Sequence, residues 1–186
     1  MYFSDDGGRS VLIKKKVCLV GDGEVGKTSL IRRFVTDSYD DAYITTVGTK
    51  VSKKESLVQS SGGMNARLDM AIWDIMGQQG FRSLLKQSYF YGSSGIIVVF
   101  DLTRRETFDA IENWMADVRE VVGDKPPVIF FGNKCDLPER ALEEQEMEDM
   151  AASYGGPLYY TSAKTGEFVD DAFMELAKRM LDSAEE

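Results

Sequence analysis

The chain has 186 residues, of which 43% are apolar and 28% charged, and a formal net charge of −9. That length supports one domain with a full core and is short for two, and the acidic balance argues against sequence-independent nucleic-acid binding, which depends on Lys and Arg neutralising phosphates. There is no histidine, so mechanisms that use imidazole as base or metal ligand are excluded, and the two cysteines, Cys18 and Cys135, show neither zinc-site spacing nor a disulfide framework.

Both cysteines read as reduced thiols of a cytoplasmic protein. No apolar stretch approaches the roughly 20 residues of a membrane span. Residue 2 is Tyr rather than the Gly of a myristoylation signal, and the residues up to Glu186 include no Cys for prenylation.

Taken in chain order, residues 1–12 read as a flexible leader rich in Gly, Asp and Ser, and 13–184 as one domain. Lys14, Lys15 and Lys16 read as a solvated lead-in to a first strand at Val17–Val20. Leu30, Ile31, Phe34 and Val35 follow at helical spacing, and residues 37–48 read as a loop. Strands near 49–59 and 66–74 flank Ser60-Ser61-Gly62-Gly63, a hairpin signal and the one antiparallel pairing expected. Ile96–Phe100 and Val128–Phe131 are continuous apolar runs of the kind buried on both faces of a sheet. Between them Phe108, Ile111, Met115, Val118 and Val122 mark one helix face, which Pro126-Pro127 ends. An acidic helix over 141–154, a short strand at Leu158–Tyr160 and an amphipathic helix through Leu181 complete the pattern. Alternating strands and helices predict an α/β fold with a mainly parallel sheet.

The chemistry concentrates in loops after strands. Gly21-Asp22-Gly23-Glu24-Val25-Gly26-Lys27-Thr28 matches the phosphate-binding loop, in the strand-to-helix context that it requires. Backbone N–H groups and the helix N-terminus cradle phosphates there, Lys27 reaches the β- and γ-phosphates, and the Thr28 hydroxyl ligates Mg²⁺. This specifies a nucleoside triphosphate but no base. Asn133-Lys134-Cys135-Asp136 supplies that choice, because the Asp136 carboxylate can accept from guanine N1–H and the 2-amino group together, a pair that adenine lacks. In Trp73-Asp74-Ile75-Met76-Gly77-Gln78, Asp74 can hold Mg²⁺ through a water, Gly77 can offer an N–H to the γ-phosphate, and Gln78 can orient a water. Either Thr45 or Thr46 can complete the metal shell.

With these motifs and Thr161-Ser162-Ala163-Lys164 in order, residues 13–183 resemble the small GTPases of the Ras superfamily. Trp73-Asp74, Phe81-Arg82-Ser83 and Ile44-Thr45-Thr46-Val47-Gly48 look most like the Rab branch. The resemblance implies a P-loop GTPase domain, a six-stranded mostly parallel sheet with one antiparallel edge strand, flanked by about five helices. It implies a GTP/GDP switch that binds GTP with Mg²⁺ and hydrolyses it slowly to GDP and phosphate. Gln78, Lys27 and Thr46 are then the catalytic residues. Thr28 and Thr46 are direct Mg²⁺ ligands and Asp74 a water-mediated one. The nucleotide site adds Gly23, Glu24, Val25, Gly26, Ser29, Tyr39 over the base, Tyr43 over the phosphates, and Gly77. Its base end takes in Asn133, Lys134 packed on the ring, Asp136, Ser162, the Ala163 N–H toward the guanine oxygen, and Lys164.

The resemblance also implies a GTPase-activating protein that supplies an Arg, an exchange factor, and effectors at switch loops near 38–50 and 75–90. It implies a monomer, cytoplasmic, meeting membranes only through partners or a missing tail. The chain departs from the family's D-T-A-G-Q-E at Ile75, Met76 and Gln79. Ile75 and Met76 favour an alternative reading as a GTP-binding scaffold with little hydrolysis, and Gln78 and Thr46 oppose it. An ATP-using kinase or ATPase leaves Asp136 without a role.

Overall fold

The computed structural model describes residues 11–40, 48–75 and 79–183, with backbone alone at residues 11 and 79–84. Six strands, β1 (Val11–Val20), β2 (Thr49–Gln59), β3 (Asn65–Ile75), β4 (Gly95–Asp101), β5 (Val128–Asn133) and β6 (Leu158–Thr161), form one sheet in the order β2-β3-β1-β4-β5-β6. Every neighbouring pair is parallel except β2 and β3. The expected edge hairpin is therefore present, and its turn closes through Ser60 N–H to the Met64 carbonyl at 2.9 Å.

The helices are α1 (Lys27–Thr36), α2 (Gln79–Phe90), α3 (Arg105–Asp109), α4 (Ile111–Val122), α5 (Glu144–Ser153) and α6 (Val169–Asp182). Only Ala110 separates α3 from α4, so the apolar face read from Phe108 to Val122 runs across the break.

Alternation along the strands divides the core between the two faces of the sheet. Val17 and Leu19 pack with Leu30, Ile31 and Phe34 of α1 and with Phe173, Leu176 and Met180 of α6. Phe34 stacks on Phe173 with ring centroids 4.1 Å apart, and Phe131 meets Phe173 edge-on. Cys18 and Val20 face the other way, against Phe90 of α2, Trp114 and Met115 of α4, and Met147 of α5.

β1 is longer than its apolar run indicated. Lys14, Lys15 and Lys16 lie inside it, in register with Asp69, Met70 and Ala71 of β3. Lys16 is half-buried rather than solvated. Its ammonium sits 3.9 Å from the centre of the Trp73 ring and donates to the Tyr91 carbonyl at 2.9 Å. A cation on an aromatic face keeps favourable electrostatics while its stem buries apolar surface.

At the far end of the sheet, the Ser61 N–H and hydroxyl donate to the Asp182 carboxylate at 2.7 and 2.9 Å, fastening the hairpin turn to the last turn of α6. At the near end, the C-terminal ends of β1, β3, β4, β5 and β6 lie side by side. The chain runs from β1 toward β3 on one side and reaches β4 on the other, so β1 and β4 bound a topological switch point, where open α/β sheets bind ligands.

Candidate nucleotide site

The loop after β1 is built on backbone geometry that side chains rarely allow. Gly26 has φ +101°, and a Cβ there would lie 2.2 Å from Asn133 Nδ2. Gly21 passes so close to β4 that a Cβ would meet the Val99 carbonyl oxygen at 2.1 Å. Glu24 adopts φ +66° without being glycine. Val25 is fully buried, and its carbonyl points to Asn133 of the neighbouring loop. The Trp114 indole N–H donates to Asp22 Oδ1 at 2.8 Å, holding the first turn of the loop from α4.

α1 begins at Lys27 with no side-chain cap and no acidic residue in its first turn. By contrast, α4, α5 and α6 each carry acids there, as the helix dipole favours. Lys27 is itself buried, and its ammonium donates to the Gly21 and Asp22 carbonyls at 2.6 and 2.7 Å. Burial pushes its pKa down to about 8, against the pull of Asp74 and Asp22. A cation buried at the positive end of a helix is electrostatically misplaced unless an anion joins it.

Beside it the Thr28 hydroxyl donates to Asp74 Oδ2 at 2.5 Å, so a hydroxyl and a buried carboxylate stand together at the end of β3. Two hard oxygen donors suit Mg²⁺, which takes few protein ligands and completes its shell with water and substrate phosphates. Among the described residues no cluster of three or more His, Cys, Asp or Glu forms a self-sufficient metal cage. Ser29 is half-buried in the first turn of α1.

The Asn133-Lys134-Cys135-Asp136 loop, expected to read the base, follows β5. Asn133 is buried, donates from Nδ2 to the Val25 carbonyl at 2.8 Å, and accepts at Oδ1 from Thr161 Oγ1 and the Ala163 N–H, both at 3.3 Å. One side chain thus ties the phosphate loop to the loop after β6. The Ala163 N–H, expected to face guanine, is turned to Asn133 here. Asp136 is half-buried and accepts from the Ser162 hydroxyl at 2.6 Å. Lys134, at φ +67°, places its ammonium 2.6 Å from Asp101 Oδ2. Lys164 is exposed, as is Tyr39 in the loop after α1. Tyr43, Thr45, Thr46, Met76, Gly77 and Gln78 lie outside the described residues. Ile75 is buried in the core on the α4 side, so its bulk serves packing.

Sequence reasoning passed over three residues that hold these loops. Arg33 of α1 donates to the Ala163 and Lys164 carbonyls at 3.0 and 2.6 Å. Asp101, at the end of β4, is fully buried and carries Lys134. Burial alone would raise its pKa, but hydrogen bonds from Lys134 and Thr103 outweigh that and hold the carboxyl below the usual range. Arg104 reaches from Asp101 to the phosphate loop. The available signal was Asp101 itself, because an acid that closes a buried apolar strand must be paired.

Among the described residues no helix is long and apolar enough to cross a membrane. The Ras family model matches residues 16–182. The chain is 37% identical over 171 residues to the Ras-related protein Rab-21 of Homo sapiens, covering 91% of this chain and 73% of that protein. It is 36% identical over 176 residues to Rab-21 of Geodia cydonium, covering 94% and 74%. To the Ras-related protein Rab-13 of Canis lupus familiaris it is 35% identical over 167 residues, covering 89% and 79%. A phosphate loop at the switch point of this sheet, an Asn-Lys-Cys-Asp loop tied to it, and likeness across nearly the whole domain lead to one assignment: the chain belongs to the Ras family, as a Rab-like small GTPase.

Proposed function

We propose that this crevice binds GTP with Mg²⁺, hydrolyses it slowly to GDP, and passes the difference to partners through the segments near 38–50 and 75–90. The observation that carries the reading is the start of α1, uncapped and without acids, with buried Lys27 in place of a counter-charge. A polyphosphate adds its negative charge at this helix start, accepts from backbone N–H groups of the first turn and draws Lys27 away from the Gly21 and Asp22 carbonyls.

Mg²⁺, when bound, neutralises charge on the β- and γ-phosphate oxygens. Thr28 and Thr46 would hold it directly and Asp74 through water. Glu24, Val25, Gly26, Lys27 and Ser29 would line the phosphates, with Tyr43 and Gly77 closing from the switch segments. Tyr39, Lys134, Asp136, Ala163 and Lys164 would bound the base, with Ser162 orienting the Asp136 carboxylate. Asn133 would act as the strut that sets the distance between the two ends. Gln78 would orient the attacking water, and Lys27 would stabilise charge on the transferring phosphoryl group. Gly23, with nothing within 4 Å of a Cβ, leaves room for an arginine from an activating protein. An exchange factor and effectors complete the cycle of a monomer that is cytoplasmic and peripheral to membranes through its partners.

Single-turnover hydrolysis of GTP by the purified chain tests this reading. A rate on the order of 10⁻⁴ to 10⁻³ s⁻¹ is expected without a partner, the range of unassisted Ras. Gln78→Leu should slow it at least tenfold with nucleotide still bound, and Lys27→Ala should abolish tight binding. An unassisted rate on the order of 1 s⁻¹, or an unchanged rate in Gln78→Leu, overturns the assignment of roles. Absence of phosphate release with GTP tightly bound would instead establish the scaffold reading.

A further inference from the structure

Asp101 Oδ1 accepts from the Thr103 N–H and hydroxyl at 2.9 and 2.7 Å, and Oδ2 accepts from Lys134 at 2.6 Å and from Arg104 Nε at 3.1 Å. The other end of the Arg104 guanidinium donates from Nη2 to the Gly23 carbonyl at 2.8 Å, and Nη1 stands 3.9 Å from Glu24 Oε2. The Arg104 backbone is fixed as well, since its N–H donates to the Asp101 carbonyl at 3.0 Å and its carbonyl accepts from Thr107 Oγ1 at 2.8 Å. A planar fork of this kind can hold two partners at a set distance, which an ammonium cannot.

The neighbouring Arg105 gives the contrast. It pairs with Asp109 and Glu146, all three well exposed, and links only helix surfaces. The carboxylate beneath Arg104 is buried to 1% exposure, and its second partner is a main-chain oxygen of the phosphate loop.

In a trans peptide the C=O and N–H point in opposite directions. Holding the Gly23 carbonyl outward on Arg104 therefore turns the Glu24 N–H away from Arg104, and it does so at a residue in left-handed conformation, φ +66°, which an L side chain adopts at a cost. The guanidinium also withdraws electron density from that carbonyl, which makes the N–H of the same peptide a better donor.

We propose that Arg104 is a positioning residue for the outer phosphates of a bound guanine nucleotide. It fixes the Gly23–Glu24 peptide with its N–H toward the phosphates. Through the shared Asp101 it locks that peptide to Lys134 of the base-reading loop, so both ends of the site are braced by one carboxylate. The inference rests on the guanine-nucleotide reading above.

The test is competition against fluorescent mant-GDP, with GDP and GMP as competitors, on the parent, Arg104→Ala and Arg104→Lys. Arg104→Ala should lose about tenfold in GDP affinity, the scale of one charge-assisted hydrogen bond, and release mant-GDP correspondingly faster. Its GMP affinity should stay within twofold, because GMP has no outer phosphate to reach the apex of the loop. Arg104→Lys, which keeps the charge but not the fork, should fall between. A general loosening of the fold would weaken GDP and GMP alike, and that result overturns the proposal, as does unchanged GDP affinity in both variants. Should Arg104→Ala fail to fold, the GDP-to-GMP ratio in Arg104→Lys decides. Failure of the parent to bind mant-GDP removes the nucleotide reading itself, and the proposal with it.

Discussion

Gly26→Ala isolates the demand that the phosphate loop makes on its neighbours. At φ +101° an L residue is strained by about 1–2 kcal/mol. The added methyl would sit 2.2 Å from Asn133 Nδ2, so the amide must swing away and leave the Val25 carbonyl without its donor. Orphaning a buried carbonyl costs a further about 1–3 kcal/mol. The sum, about 2–5 kcal/mol, corresponds to a fall in melting temperature of about 5–20 °C for a chain of this size. Gly23→Ala is the matched control, because nothing lies within 4 Å of its Cβ and a change within about 0.5 kcal/mol is expected.

Urea denaturation followed by tryptophan fluorescence gives both values. A double-mutant cycle then divides the cost. With Asn133→Ala already in place the collision disappears, and Gly26→Ala should cost only its backbone share, leaving a coupling of about 1–3 kcal/mol. Gly26→Ala as mild as Gly23→Ala, or equally costly with and without Asn133, would refute the reasoning.

Other predictions follow from the core and the loop anchors. Burial, opposed by the Ser93 hydrogen bond and the Lys16 charge, raises the Cys18 thiol to about 11 from an ordinary 9.0. The unfolded chain thus loses this proton first, and stability attributable to it falls as pH rises between those values; parent minus Cys18→Ala in unfolding free energy should shrink by about 2 kcal/mol from pH 8 to about 10.5. Trp114→Phe keeps a ring in the core but removes the donor to Asp22, so about 1–3 kcal/mol of stability should go, read by calorimetry, together with slower capture of GDP. Phe173→Ala deletes the ring that stacks on Phe34 and abuts Phe131, and a loss of about 3–5 kcal/mol in chemical denaturation is expected.

Much of the fold was legible because its signals are local. The buried runs at Ile96–Phe100 and Val128–Phe131, the glycine-rich turn at 60–63, and the two nucleotide loops each declare themselves within a few residues. What escaped is non-local. Lys14–Lys16 look solvated until Trp73 and the Tyr91 carbonyl are brought beside Lys16 by the pairing of β1 with β3. The break at Ala110 leaves no trace in an apolar periodicity that continues through it. Asn133 reads as a base-loop residue, whereas its bonds go to Val25 and Ala163, whose positions in the chain give no hint of contact. The brace that runs from Lys134 through Asp101 and Arg104 to the Gly23 carbonyl likewise depends on the ends of three strands, β5, β4 and β1, meeting at one end of the sheet.

α1 joins two anchors that serve opposite ends of the site. Lys27 opens it in the loop after β1, where the phosphates are proposed to bind, and Arg33, six residues on, grips the Ala163 and Lys164 carbonyls of the loop after β6. At 1.5 Å of rise per residue these anchors stand about 9 Å apart along the axis. The helix is in effect a gauge bar, so the spacing of the loops after β1 and β6 is set by its rise. Inserting a single residue between Lys27 and Arg33 would lengthen the interval by only about 1.5 Å, yet would swing Arg33 about 100° around the axis and off its carbonyls. Loop spacing and helix phase are therefore a single constraint on this stretch of chain.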